Sequence, residues 1–172
     1  MKGYVHVLFA VDLLIVASIL LKHPLTAIGF PLVILGGLFP DLDYPNSLIS
    51  APIYNISLRI RRTFGRRGLL HSPLIFGALW LLTDPLSEYI YVATIPVWFV
   101  YPNVFFLGAC SHIILDMFTP DGVRLFPFQM RAVWNKLMFV KVNSRGETKF
   151  FYFLVVLSVV LLYWEVRTYI FY

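Results

Sequence analysis

Five long apolar runs, separated by short polar stretches, dominate the pattern of this chain. They cover residues 7–21, 25–39, 72–83, 104–118 and 150–164. Most are nearer to about 15 residues than to the roughly 20 that cross a bilayer as a helix, so polar residues at their ends must contribute to crossing. Runs of this length with so few charges predict helices. We therefore expect an all-α, polytopic membrane helix bundle with about five spans.

A sixth apolar segment, Tyr89–Tyr101, differs from the others in composition. It reads YIYVATIPVWFVY, is rich in Tyr and Trp, and is interrupted by Pro96. Aromatic residues of this kind concentrate at the membrane–water interface. We predict a re-entrant or interfacial segment here, in addition to the five spans.

The sequence also contains signals for the ends of several elements. Ser72 followed by Pro73 is typical of a helix N-cap and first helical position, and Asn103 is the predicted N-cap of the fourth run. Residues 126–139 predict an amphipathic interfacial segment. A turn at 143–146 predicts a short hairpin over residues 140–151.

Composition supports a membrane protein. Of the 172 residues, 59% are hydrophobic and 13% are charged, whereas soluble domains average about 25% charged residues. No stretch suggests a soluble domain, so we expect one integral membrane domain over residues 1–172. The single cysteine, Cys110, excludes an internal disulfide and is interpreted as a small core residue.

Charge predicts the orientation of the spans in the membrane. The loops at 44–70 and 119–149 are strongly basic, with arginines at 59, 61, 62, 66 and 67 and basic residues at 124, 131, 136, 141, 145 and 149. The positive-inside rule places both loops in the cytoplasm. An even number of membrane crossings must then separate the two loops. Three apolar segments lie between them, which supports the interpretation of Tyr89–Tyr101 as interfacial. The N-terminus would lie inside the cell and the C-terminus outside.

This topology brings the candidate chemical residues to the cytoplasmic face. They are His6, Asp41, Asp43, His71, His112 and Asp116. A single histidine or acid at the end of a span is more often interfacial than functional. Ionisable residues that border spans are costly, however, and six at one face favour a site.

The residue types and spacing indicate a divalent metal. His112 and Asp116 are four residues apart and so share a helical face, whereas Asp41 and Asp43, between two prolines, predict an extended turn. Imidazole with carboxylate favours zinc, with manganese or iron as alternatives, over calcium. The number of candidates allows one or two ions. We interpret His23 as structural, and Asp12 as a protonated or hydrogen-bonded packing residue, with a role behind the ligands left open.

The ordered motifs resemble a known family. They are His6, GGxxPDxD at 36–43, RRGxxHS at 66–72 and SHxxLDxxTPxG at 111–122, and together they resemble the YdjM-like family of inner-membrane proteins, which are described as metal-dependent hydrolases. The resemblance runs to about Pro127. The order of ligands is also similar to that of zinc-dependent phospholipase C, although this chain lacks the further His and Glu ligands found there.

Taken together, the residues and the resemblance predict metal-assisted hydrolysis of a lipid or lipid-linked phosphoester. Water activated by the ion would attack. We expect Asp41 to be a ligand and Asp43 the base, although the reverse is open, and Arg66 or Arg67 to stabilise the developing charge. The arginines could instead bind lipid head groups.

Two further functions compete with this prediction. One is a non-catalytic membrane protein with a structural or sensory metal site, and the other is a transporter, which the clustering of ionisable residues at one face disfavours. The expected partners are membrane lipids and an amphiphilic substrate. No nucleic acid is expected, because the basic residues lie where topology requires them.

Overall fold

The structure, a computed structural model, describes residues 1–22, 25–65, 67–91, 100–123 and 140–170. Every regular element within these ranges is a helix, which confirms the all-α class. The α-helices are α1 (Gly3–Leu21), α2 (Gly29–Leu38), α3 (Tyr54–Phe64), α4 (Pro73–Tyr91), α5 (Val100–Met117) and α6 (Arg145–Ile170). Short 3-10 helices cover Phe39–Asp43, Ala51–Ile53 and Leu69–His71.

Helices α1 and α6 run parallel. The polar contacts between them follow the same order along both helices. Lys2 N donates to Glu147 Oε1, Ser158 Oγ donates to Asp12 Oδ1, and Ser18 Oγ donates to Glu165 Oε1. The contact to Ser158 confirms the hydrogen-bonded packing role predicted for Asp12. The parallel arrangement places the start of α6 at the same end of the bundle as the start of α1.

Helices α2 and α5 cross so closely that their backbones touch, because each helix has a glycine at the crossing. A Cβ atom on Gly36 would collide with the Phe105 carbonyl oxygen, and one on Gly108 would collide with that of Val33. The main core cluster joins α1, α2 and α5 through Ala10, Leu14, Val33 and Val104. This tight crossing fixes the depth at which the end of α2 meets the end of α5.

Several predicted details of the elements are wrong. The acidic segment Phe39–Asp43 is a 3-10 helix rather than an extended turn, since Pro40 is compatible with the first turn of a helix. Asn103 does not cap α5, which begins at Val100; its Oδ1 accepts a bond from Trp80 Nε1 at 2.6 Å. The basic loop 44–70 contains the helix α3.

The predicted hairpin at 140–151 is also wrong. Residues up to Ser144 form a turn, and α6 begins at Arg145. Ser144 Oγ accepts the backbone N–H of Glu147, and Glu147 in turn accepts the backbone N–H of Asn143. Ser144 and Glu147 thus form the start of a helix, in the manner of a capping box.

Within the described residues, two helices are long and apolar enough to cross a membrane, over Gly3–Leu21 and Arg145–Thr168. The apolar stretches Pro73–Leu82 and Pro102–Met117 are shorter. The segment predicted to be interfacial, Tyr89–Tyr101, contributes the end of α4 and the start of α5, and its residues 92–99 lie outside the described residues. Residues 126–139, which were also predicted to be interfacial, lie outside the described residues too, as do His23 and Arg66.

Candidate metal centre

The six predicted site residues come together at one end of the bundle. Four separate elements provide them: His6 from the start of α1, Asp41 and Asp43 from the 3-10 helix after α2, His71 from the 3-10 helix before α4, and His112 and Asp116 from the end of α5. All are almost fully buried except Asp41, whose side chain is 18% exposed. Burial of so many ionisable groups requires mutual pairing or a bound cation.

The tautomer of His112 follows from its contact with α2. Its Nδ1 lies 2.7 Å from the carbonyl oxygen of Gly37. A carbonyl only accepts hydrogen bonds, so Nδ1 must carry the proton. The other nitrogen, Nε2, is buried without a hydrogen-bond partner. A neutral imidazole held in this way presents a lone pair to the interior, as a metal ligand does.

His71 is held in the same manner by a carboxylate. Its Nδ1 lies 3.2 Å from Asp43 Oδ2, which leaves Nε2 to face the centre. A carboxylate behind a histidine ligand fixes the orientation of the ring and raises its basicity. This contact is that of an orienting carboxylate, and it differs from the role of base expected for Asp43 from the sequence.

The free nitrogens of both histidines face the same carboxylate. Asp116 Oδ2 is 3.6 Å from His71 Nε2 and 3.8 Å from His112 Nε2. Asp41 Oδ1 is 3.8 Å from His112 Nε2. Ligands bound at about 2.0–2.2 Å to one tetrahedral zinc lie about 3.4 Å apart, so these spacings fit a shared ion after a small contraction. The planes of the two rings differ by 72°, which lets both nitrogens converge.

His6 is placed differently. Its Nε2 lies 3.7 Å from Asp116 Oδ1, but its ring stacks on His112 with centroids 3.7 Å apart and planes within 13°. Imidazole nitrogens bind metals in the ring plane, and two stacked rings share no plane. His6 therefore joins an ion on His112 only if its ring rotates. Two groups of residues could hold an ion, His6–His112–Asp116 and Asp41–His71–His112. Both need Nε2 of His112, so His112 can serve only one of the two groups at a time.

Arg67 is tied to the centre by direct contacts. One of its terminal nitrogens pairs with Asp116 Oδ2 at 2.9 Å, and the other donates to the Gly122 carbonyl at 2.9 Å and to Thr119 Oγ1 at 3.2 Å. The backbone of Arg67 has a positive φ of 52°. These contacts connect the segment before α4 to the turn after α5, and they hold Asp116 in place.

A cavity of about 540 Å³ lies against the centre, within the range of about 300–1,000 Å³ of small-molecule sites. Asp41, His71 and Asp116 line it. Tyr4 and Leu48 also line it and are 42% and 65% exposed. A cavity with both ionisable and apolar lining residues suits an amphiphilic molecule.

Two groups that shape this end of the bundle were not predicted from the sequence. Buried Glu147 accepts the backbone N–H groups of Lys2 and Asn143, and so joins α1 to α6 beside the cavity. The capping-box spacing from Ser144 to Glu147 is the signal that could have revealed it. The second group is the Gly37 carbonyl, which no sequence pattern marks as a partner of His112.

Comparison with known proteins identifies the family. A family model described as YdjM inner membrane protein matches residues 1–170. The chain belongs to the YdjM family. It is a membrane protein by this membership, and the family resemblance predicted from its motifs is confirmed.

Two relatives are similar to this member of the YdjM family over much of their length. Inner membrane protein YdjM of Escherichia coli strain K12 is 36% identical over 150 residues, which cover 83% of this chain and 71% of that protein. The uncharacterized protein YvsG of Bacillus subtilis strain 168 is 29% identical over 113 residues, 65% of this chain and 64% of that protein. No solved structure matches.

Proposed function

We propose that this YdjM-family protein is a metal-dependent hydrolase embedded in the membrane, acting on a phosphoester of a lipid or lipid-linked substrate. One observation carries the proposal. His71 and His112 each use Nδ1 in a hydrogen bond and direct Nε2 towards Asp116. Histidines oriented in this way by a carboxylate or carbonyl are characteristic of metal sites.

The residues present fit zinc best. The donors are imidazole nitrogens and carboxylate oxygens, a set that suits zinc, with manganese or iron as alternatives. The ligands would be Asp41, His71, His112 and Asp116, with His6 as a further ligand after rotation of its ring. A bound ion would lower the pKa of a water molecule and so supply a nucleophile near neutral pH.

The remaining polar groups have separate tasks in this proposal. Asp43 holds the His71 ring, and Arg67 holds Asp116. The exposed edge of Asp41 faces the cavity, where the carboxylate can also orient a water molecule. The Arg67 side chain lines the same cavity and reduces the negative charge of the carboxylates, which assists the approach of an anionic phosphoester.

The proposed placement in the membrane explains how an amphiphile would reach the centre. Five helices, α1, α2, α4, α5 and α6, would cross the inner membrane, with the centre at the cytoplasmic head-group level. The ends of these helices that carry the site residues coincide, as one face of a five-span bundle requires. The phosphate of a lipid would then meet the cavity without leaving the bilayer surface.

A structural metal site is the second candidate. The candidate ligands come from four elements that are distant in the sequence. An ion bound by all of them would hold the end of the bundle together without any reaction, as structural zinc sites do in other folds.

The test measures metal content and hydrolysis on the same samples. Purified wild-type protein should contain a stoichiometric divalent ion by elemental analysis, and His71→Ala, His112→Ala and Asp116→Ala should each lower it. His23→Ala is the matched control and should leave it unchanged. Metal-loaded protein in lipid should cleave a phosphodiester lipid, and the three variants should not.

The two candidates give different results in this experiment. Full metal content with no hydrolysis across a panel of phosphoester lipids would favour the structural site. Unchanged metal content in all three ligand variants would contradict both candidates.

A further inference from the structure

Helix α3, Tyr54–Phe64, lies at the same end of the bundle as the candidate metal centre and contacts the acidic 3-10 helix. Ile56, Ile60 and Phe64 recur every four residues and so form one stripe along it. Ile56 is 55% exposed and Phe64 is 37% exposed. The protein therefore leaves much of this apolar stripe uncovered.

Basic side chains lie on one side of the exposed stripe. Arg59 and Arg62 are both exposed, and helical geometry places them on the same side of Ile56, about 60° and about 120° around the axis from it. The helix contains no acidic residue. An exposed apolar stripe on a helix whose other exposed side carries arginines is the pattern of a helix that lies in the plane of a membrane interface.

We propose that α3 is a lipid-binding helix that recognises anionic phospholipid head groups. Arg59 and Arg62 contact the lipid phosphates, while the stripe of Ile56, Ile60 and Phe64 inserts among the acyl chains. Opposite charge supports this partner, because arginine forks match phosphate oxygens and basic segments bind anionic bilayer surfaces. The exposed stripe favours a lipid surface over a soluble anion, since apolar side chains gain by entering the bilayer.

The position of α3 connects lipid binding to the cavity. The Arg61 guanidinium carbon lies 5.9 Å from the centre of the Tyr44 ring, and Tyr44 lines the cavity. A lipid-bound α3 would therefore hold the cavity mouth at the level of the head groups. The lipid site itself does not depend on hydrolysis, because its contacts lie outside the metal ligands.

The experiment measures depth and lipid retention with the full chain. In a Cys110→Ala background, Ile56→Cys and Asn55→Cys are labelled with an environment-sensitive fluorophore in nanodiscs of phosphatidylcholine with phosphatidylglycerol. Asn55 is exposed on another side of α3 and is the matched control. The label at position 56 should emit at shorter wavelength than the label at 55.

Lipid retention is measured by native mass spectrometry on variants with equal loss of charge. Arg59→Gln with Arg62→Gln should lower retained phosphatidylglycerol about fivefold for each arginine removed. Arg145→Gln with Lys149→Gln changes two exposed residues at the start of α6 and should leave retention near wild type. Equal emission from both labels, unchanged retention in the α3 pair, or equal loss in both pairs would overturn the proposal. An unfolding temperature in detergent equal to that of the wild type verifies folding of each variant.

Discussion

Asp41 and Asp43 stand two residues apart, and the 3-10 helix gives them different surroundings. Three residues complete one turn of such a helix, so side chains two apart point in different directions. Asp43 is 2% exposed and contacts His71, whereas Asp41 approaches His112 and keeps an exposed edge. The two acids therefore have different surroundings, and their separate roles stay a prediction.

The variants Asp41→Asn and Asp43→Asn test the roles of the two acids one at a time. If Asp43 orients His71, Asp43→Asn should weaken metal affinity about 10–100-fold, the usual effect of losing a partner behind a ligand. If Asp43 is the base, the variant should keep its metal and lose about 10²–10⁴ in turnover. Metal titration combined with turnover at saturating metal distinguishes the roles, and the contact with His71 favours the first result.

Asp41→Asn provides the comparison for this pair. Asn keeps one oxygen but loses the charge, so we expect a larger loss of metal affinity than in Asp43→Asn. Wild-type affinity in Asp41→Asn would remove Asp41 from the ligand set, whatever the turnover.

For single residues, the sequence predicts the residue types and their spacing better than it predicts the contacts of their side chains. The separation of His112 and Asp116 by four residues follows from helical periodicity, so their shared face was predictable. The bond from His112 to the Gly37 carbonyl depends on how α5 packs against α2, which no local pattern contains. The role of Asp43 has the same origin, because its partner His71 is distant in the sequence.

Among the helices, the crossing of α2 and α5 determines where the candidate ligands meet. Gly36 and Gly108 allow the two backbones to touch, and this contact lies directly before Gly37 and four residues before His112. Helix interfaces in membranes often use small residues in this way. The position of the crossing is therefore coupled to the tautomer and direction of His112.

Gly36→Ala tests that coupling. Its added methyl group would collide with the Phe105 carbonyl, and overpacking of this kind is destabilising by about 1–3 kcal/mol. We expect a lower unfolding temperature in detergent and a lower metal content. Gly77→Ala in α4 is the control, because a methyl group there meets nothing within 4 Å and alanine favours the helix by about 0.5–1 kcal/mol. Equal stability of the two variants would contradict the close crossing.

The predictions for whole elements were right where apolar runs are long. Short polar signals predicted the start of α4 at Pro73 correctly and failed elsewhere. The runs at 7–21 and 150–164 lie within α1 (Gly3–Leu21) and α6 (Arg145–Ile170), which extend beyond them. Helix α3 was missed, since its arginines were interpreted as loop charges instead of one side of an amphipathic helix. The helix start at Ser144 and Glu147 was not predicted, because the sequence of Asn143–Gly146 is also typical of a turn.

The arrangement of the whole molecule follows from which helix ends meet. His71 precedes α4 and lies 3.6 Å from Asp116 near the end of α5, so these two helices run in opposite directions. The parallel pair α1 and α6 starts at the same end. Charge asymmetry in the sequence predicted this convergence, whereas the contacts that hold it, such as Arg67 with Asp116, required the fold.

We expect the end of the bundle that carries the candidate metal centre to lie on the cytoplasmic side of the membrane. Topology reporters at Arg62 and Arg131 should both report the cytoplasm, because the two basic loops follow helix ends that meet at one centre and the positive-inside rule retains such loops inside. A reporter at Arg167, near the other end of α6, should report the opposite side. Position 62 inside with position 131 outside would require a third crossing between the loops, within or beside Tyr89–Tyr101. Such a crossing would separate His71 from Asp116 across the bilayer, and the four-ligand centre could not form.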